Sequence, residues 1–565
     1  MPGIVDRSGM MRFGSVPRRL LTTAAWGLGF IVFFALNLRL SQTTAANSDG
    51  ASQALQAWDL LHGNLLQHGW ITGDVAYFPN DVFVYALIDA VHGLNADAVH
   101  WYGALMYTLA MLLAALLAMG QRAGGGSAGA AATSRERWVR GAIAAGIMIA
   151  PQLDAGVYAL LQGPDHFGTS VPVLLAWLIL DRCPRRWYIA VAVVVIIGVT
   201  GIADLTTLFT AALPLAVVCA YRAVRGRLWE RQSLAAQRQE ILLAAAGIVA
   251  GVLAVEGPRI LIAIGSLTQV APITAISPLH VIFWRNFRVT GLCLLVLAGA
   301  DFLGVRQPPR IGFEILHLAG AVLGGCAILF AAWRFLRDKD LIAQLLLAGI
   351  IINLGTFVAG THASEITFTH EMSDVLPFAA VLAGRLLARR LLSLRLAPVL
   401  VVVLCGYLAG LGYEVRQPAV PAQNEAIIPW LKAHNLTYGL SGYWAANVVT
   451  LASGEQVTIR ALNGTKTRLP SGRVRLGYQP VTQLVQPQWY DPSRERANFV
   501  VFSPTYRGTE PFTGFTGVIG FTSEKNAINQ FGPPAKIYHF EQYTIYVWNK
   551  NLLADMTFPT VHAAG

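Results

Sequence analysis

Charge is what this chain has least of. Only 13% of its 565 residues are Asp, Glu, Lys or Arg, against 55% apolar, and the mean hydropathy is +0.51. A soluble enzyme of this length is excluded: several runs of roughly 17–22 residues carry no interior charge, and about 20 residues of helix cross a hydrocarbon core of about 30 Å. Cysteine is scarce too. Cys183, Cys219, Cys293, Cys326 and Cys405 lie in or beside apolar segments without close pairing, which argues for small core residues and against a disulfide or metal framework. An internal repeat is missing, and residues 417–565 hold neither a phosphate-cradling glycine loop nor a nucleophile elbow. The net charge of +11 does not point to nucleic acid, because the arginines cluster beside apolar segments as the orientation rule for membrane proteins expects.

Apolar runs predict eleven spans, at 21–38, 99–119, 141–161, 167–180, 187–203, 205–221, 241–262, 312–333, 341–360, 375–387 and 397–412. The first, after Arg12, Arg18 and Arg19, reads as a retained span and not a cleaved signal. The clusters Arg18/Arg19, Arg122 to Arg140, Arg182/Arg185/Arg186, Arg222/Arg225/Arg227, Arg334/Arg337/Lys339 and Arg389/Arg390/Arg395 then fall on one side, assigned to the cytoplasm. Counting 282–303 as a further span would break that pattern, so this stretch is expected along the outer surface. The expected class is a polytopic α-helical membrane protein: residues 1–416 form the membrane domain and 417–565 an extracytoplasmic mixed α/β domain. Within the latter, helical spacing falls at 424–434 and in Glu524–Phe531, strands at 456–462 and 498–502, and a hairpin at 536–540 with 543–549.

The first external loop, 42–95, is too polar to span and too apolar for an ordinary loop. Leu55, Trp58, Leu61 or His62, Leu65 and Leu66 recur every three or four positions, predicting a helix along the membrane surface. A second short amphipathic helix is expected within 77–91, opened at Pro79 and Asn80. Just ahead of the first stands Asp49. Other ionisable groups gather in the outer loops: Asp165 and His166, Asp204, Glu256 and Arg259, His280, Arg285 and Arg288, then His362, Glu365, His370, Glu371 and Asp374.

A carboxylate and arginines converging at a membrane surface suit transfer from a sugar linked through phosphate to a polyprenyl chain. The leaving phosphate needs cationic partners and the acceptor hydroxyl needs a general base. Each residue has a plainer reading beside this one. Asp49 is placed to cap a helix. Asp165 and His166 fit a solvated turn, Asp204 fits a turn between spans, and Arg259 and Arg285 can pair with Glu256 or with lipid headgroups. His370, Glu371 and Asp374 have a spacing that arises readily by chance, so no residue is assigned to metal binding.

In this arrangement the chain resembles the GT-C superfamily of integral-membrane glycosyltransferases, which includes protein O-mannosyltransferases, aminoarabinose transferases of lipid A and mycobacterial arabinosyltransferases. The resemblance covers about residues 18–413. It rests on the long first loop, Asp49 soon after the first span, Asp165 in the next loop, and the extracytoplasmic tail. The stretches GADFLG from Gly299, HEMSDVLPFAAVLAGR from His370 and YGLSGYWAANVVTLASG from Tyr438 look like uncharacterised bacterial relatives. The resemblance implies a bacterial inner-membrane enzyme taking a sugar from a polyprenyl-phosphate donor, with inversion, to a glycan, lipid or protein acceptor. It makes Asp49 the base and Asp165 its assistant, with His166, Glu256, Arg259, Arg285 and Arg288 as candidate substrate-binding residues. The one candidate cofactor is a divalent cation, Mg2+ or Mn2+. Many relatives carry a second acid where this chain has Gly50, which weakens the case for a metal. Two other classes stay open: a non-enzymatic envelope scaffold that binds glycan or protein, and a lipid or sugar transporter.

Overall fold

A computed structural model describes residues 18–120, 132–149, 151, 155–163, 166–183, 186–270, 276, 279–302, 308–361, 366–468, 474–502 and 524–561. Helix α1 (Arg18–Ser41) leads into the first loop, which holds α2 (Ser48–Leu61), β1 (Ile71–Thr72) and α3 (Asn80–His92). The bundle continues with α4 (Asp97–Met119), α5 (Ser134–Ile147), α6 (Ala155–Leu161), a 3-10 turn (Phe167–Thr169), α7 (Ser170–Arg182) and α8 (Trp187–Ala203). A π-helical turn (Leu208–Ala212) enters α9 (Leu213–Leu228), followed by α10 (Leu234–Ala263), β2 (Thr268–Gln269), α11 (Leu279–Leu297) and α12 (Pro308–Arg334). After α13 (Leu341–Ala359) come a 3-10 stretch (Ile366–Met372), α14 (Val375–Ser393) and α15 (Ala397–Glu414).

Among the described residues, seven of these helices are long and apolar enough to cross a membrane: α1, α4, the π turn with α9, α10, α12, α13 and α15. The protein is therefore a multi-pass helical membrane protein. The other four expected spans fall on the α5–α6 pair, α7, α8 and α14. α5 and α6 are separate segments, α7 and α8 have 13 and 17 residues, and α14 carries Arg385, Arg389 and Arg390.

The basic clusters meet at one end of the bundle. Trp26 stacks on Trp138, Arg182 bonds the Leu116 carbonyl at 2.6 Å, Arg222 reaches Gln344 at 2.8 Å, and Arg390 lies over the Phe330 ring. Buried Arg385 joins α7, α13 and α14 there, 3.0 Å from Asp181 and 2.9 Å from Asp340. At the opposite end, Ser41 meets His100 at 3.0 Å and the Leu161 carbonyl at 2.9 Å. α11 keeps to that half: Asn286 bonds the Val358 and Gly360 carbonyls at 2.8 and 2.9 Å, and a Cβ on Gly156, at the start of α6, would stand 3.6 Å from the Val296 carbonyl.

The C-terminal unit also sits at that end. Its elements are α16 (Ile427–Ala433), β3 (Tyr438–Gly442), α17 (Tyr443–Ala452), β4 (Thr458–Arg468), β5 (Val474–Pro480), β6 (Phe499–Phe502), α18 (Glu524–Phe531), β7 (Lys536–Phe540) and β8 (Tyr543–Val547). The strands form a mixed sheet in the order β5-β4-β3-β6-β8-β7, with central β3 parallel to β4 and β6. The predicted closing hairpin and the predicted helix at Glu524–Phe531 are both present.

The first loop differs from expectation. α2 ends at Leu61, so Leu65 and Leu66 lie beyond it and stay exposed. It is not an exposed surface helix. It is buried on nearly every side, from Ser48 and Ala51 through Gln53 and Gln56 to Leu60, between α3 and α17. Its apolar side chains join those of the sheet in one continuous core. The exposed apolar stripe belongs to α3, where Phe83, Leu87 and Val91 stand four residues apart on one face, the pattern of an interfacial helix. The loop is pinned at three points: β1 pairs in parallel with β2, Ile71 exchanges bonds of 2.8 and 3.1 Å with Val485, and the Tyr77 amide bonds the Ala203 carbonyl at 2.9 Å.

The tightest crossing lies under this loop, where a Cβ on Gly103 of α4 would fall 1.9 Å from the Leu161 carbonyl oxygen of α6. That neighbour is backbone, so relief requires the helices to separate. Gly103→Ala is expected to destabilise the detergent-solubilised protein by about 1–3 kcal/mol. Gly27→Ala, which meets nothing within 4 Å, should leave the thermal midpoint unchanged.

Candidate active site

Asp49 occupies the first turn of α2, and it is not the cap. Asn47 has that role, its side chain accepting from the Gly50 amide at 3.0 Å. Capping therefore does not account for Asp49, whose carboxylate instead accepts a short hydrogen bond from the Tyr443 hydroxyl. Tyr443 opens α17 directly after the central strand β3, at the strand end where α/β sheets place their ligands. Ser48 donates to the Tyr443 carbonyl at 2.7 Å and Asn447 to the Ser52 hydroxyl at 2.8 Å, so α17 and α2 are locked in register. Burial raises the Asp49 pKa to about 6, against the lowering effect of the Tyr443 hydroxyl. A carboxyl tuned to that range can change protonation state near neutral pH.

Gly50 has a steric reason. A Cβ there would stand 2.7 Å from Val99 and 2.8 Å from the Gly163 carbonyl oxygen, so a second acid beside Asp49 does not fit. The same contact sets the Asp49 turn against the loop that carries His166.

His166 gathers the other acids. Its backbone is left-handed, with φ of 59°, an uncommon state for a residue with a side chain, and the Thr169 amide and hydroxyl hold its carbonyl at 3.0 and 2.8 Å. Nδ1 lies 2.8 Å from Asp204, just before the π-helical turn, and 3.1 Å from the Thr206 hydroxyl. Nε2 faces Glu371 at 3.6 Å, and the His370 ring stacks on the His166 ring with centroids 5.6 Å apart. Burial disfavours charge on His166, but Asp204 and Glu371 outweigh it and hold the imidazole well above its usual pKa. Around this group stand Asp374, bonded by Ser170 and by Thr169 at 3.3 Å, and Asp81, bonded by Tyr102. Burial raises the pKa of Asp374 to about 6 and that of Asp81 to about 7.

One ligand atom each from His166, His370 and Glu371 lies within 4.8 Å of the others, a grouping able to hold a divalent cation. The set fits a metal. With Nδ1 turned to Asp204, Nε2 is the ring atom left to ligate, the carboxylate–histidine arrangement common behind metal-binding imidazoles. Two imidazoles and one carboxylate suit Zn2+ or Mn2+ better than Mg2+.

The expected arginines do not join these groups. Arg259 pairs with Glu256 at 2.9 Å on the surface of α10. Arg285 bonds the neighbouring Asn286 side chain at 3.2 Å, and both Arg285 and Arg288 are exposed. Among the described residues, none of the three bonds to Asp49 or to the His166 group. Asp165, His362 and Glu365 lie outside the described residues. Sequence reasoning missed the Asp49–Tyr443 and Asp81–Tyr102 pairs, which local patterning does not signal. It also set aside His370 and Glu371, whose partner His166 lies some two hundred positions away.

His166→Ala and His370→Ala are each expected to weaken Mn2+ or Zn2+ binding to the purified protein by at least roughly tenfold in titration calorimetry, the size of effect known for lost ligand-shell groups. Arg259→Ala should leave it unchanged.

No protein-family model and no curated protein matches the sequence. Among solved structures the chain is similar to archaeal oligosaccharyltransferase AglB from Archaeoglobus fulgidus, held with an inhibitory peptide and a dolichol-phosphate. Identity is 12%, covering 82% of this chain and 75% of that one, with a TM-score of 0.42.

Proposed function

We propose that the protein is a membrane glycosyltransferase that moves a sugar from a polyprenyl-phosphate donor to an envelope acceptor, with Asp49 as general base. The observation that carries this reading is the Asp49–Tyr443 contact. It holds an acid with a raised pKa at the seam between the first loop and the C-terminal sheet, beside the loop bearing a cation-attracting His–acid group. In this reading the seven apolar helices and the four shorter segments make eleven spans, the basic end faces the cytoplasm, and residues 417–565 lie outside. α3 rests its apolar stripe in the outer leaflet, where a lipid-linked donor would arrive.

In the reaction, Asp49 takes the proton of the acceptor hydroxyl as that oxygen bonds the anomeric carbon, and the bond from that carbon to the donor phosphate breaks. Tyr443 orients the carboxylate and favours its ionised form. The arginines assigned to the phosphate from sequence are spent elsewhere or exposed, so His166, His370 and Glu371, with Asp204 behind them, are the residues placed to hold a cation. A divalent ion bound there would supply positive charge to the departing phosphate.

Asp49→Asn is expected to abolish transfer from a polyprenyl-phosphate sugar while the protein still folds and inserts; an active variant removes the proposed base. The wild-type rate should rise with pH through an acid limb near 6, as Asp49 ionises. Tyr443→Phe deletes a bond that favours the ionised form, so the limb should move to higher pH. A limb that stays in place or moves down would assign it to another group.

A further inference from the structure

Beyond the proposed catalytic seam, the last turns of α2 and the loop between β5 and β6 line an open pocket of about 340 Å3. Asp59 anchors it. One oxygen of its carboxylate accepts from Asn64 at 2.6 Å, from the Trp70 indole at 2.8 Å and from Gln486 at 2.9 Å. Trp70 and Gln486 are 1% and 2% exposed, so this is a built and rigid wall, not a surface accident. Trp489 meets Trp70 edge-to-face at 5.1 Å, and the buried Arg460 guanidinium lies 3.6 Å from the Trp489 ring on top of it. At the mouth stand half-buried Trp58 and exposed Gln488.

The chemistry of this lining selects its guest. Asp59 with Glu455 disfavours an anion, which rules against the donor phosphate. Trp58 and Trp489 are the lining rings with exposed apolar area, and Asp59, Glu455 and Gln488 place polar atoms beside them. A pyranose or furanose presents that same pair of surfaces, C–H groups on its faces and hydroxyls on its rim. The volume lies at the small end of the range of about 300–1,000 Å3 for small-molecule sites, enough for a terminal sugar unit and too little for a folded partner.

We infer that this pocket binds a neutral sugar of the acceptor, which makes the acceptor a carbohydrate chain; the inference deepens the transferase reading and rests on it. Asp59 follows Asp49 by ten residues on one helix, about 15 Å at 1.5 Å per residue, so the pocket and the base stand near opposite ends of the buried α2.

The test is binding of mannan, arabinan and β-glucan tetrasaccharides to the full chain in detergent, followed by tryptophan fluorescence and calorimetry. At least one should bind, and Trp58→Ala and Gln488→Ala should each weaken it, the former by about tenfold. The inference is overturned if none of the three binds, if both pocket variants bind as tightly as wild type, or if a tetralysine peptide binds in their place. Should a tetrasaccharide bind in the expected way while the wild type transfers no sugar from any polyprenyl-phosphate donor, the pocket stands and the transferase reading falls.

Discussion

The burial of α2 beneath the C-terminal sheet is the constraint on which the rest of this structure depends. A helix reading SDGASQALQAWDLL has too many small and polar side chains to lie in lipid, and it exposes almost none of them to water. Polar groups removed from water must find partners or cost on the order of 1–3 kcal/mol each. Ser48 and Ser52 find theirs on α17, whereas the buried side-chain amides of Gln53 and Gln56 have none among the described residues. The loop and the sheet are thus halves of one core. Each positions the other, and Asp49 lies where they join.

That junction also explains how a single chain separates its charges. Arginines of the basic clusters collect at one end of the bundle, where Arg385 is neutralised by Asp181 and Asp340. At the other end Asp204, Glu371 and Asp74 act on one imidazole, and Asp81 and Asp374 lie near enough to Asp204 to feel its charge. Burial raises the pKa of Asp81 and Asp374. The negative field that keeps His166 charged is the same one that would hold a metal ion.

Much of this was open to reading in the chain itself, and the misses have a common cause. The long apolar runs, the Glu524–Phe531 helix and the β7–β8 hairpin depend on neighbours a few residues apart, so pattern and composition suffice. The amphipathic repeat in α2 was equally visible, but an apolar stripe does not say whether lipid or protein will cover it. The arginines were chosen because a phosphate requires positive charge, and the sequence does not show that Arg259 pairs with Glu256 while Arg285 and Arg288 stay exposed.

Composition and periodicity by themselves determined that this protein crosses a membrane many times, gathers its basic residues between spans, and ends in a mixed sheet, since each follows from the free energy of short segments in lipid or water. Only the tertiary structure decided what those segments do together. Asp49 and Tyr443 are 394 positions apart, and His166 draws in Asp204 and Glu371 from separate helix ends. Such pairs exist because distant elements bury each other's surfaces, and that energy belongs to the contact and to neither stretch alone.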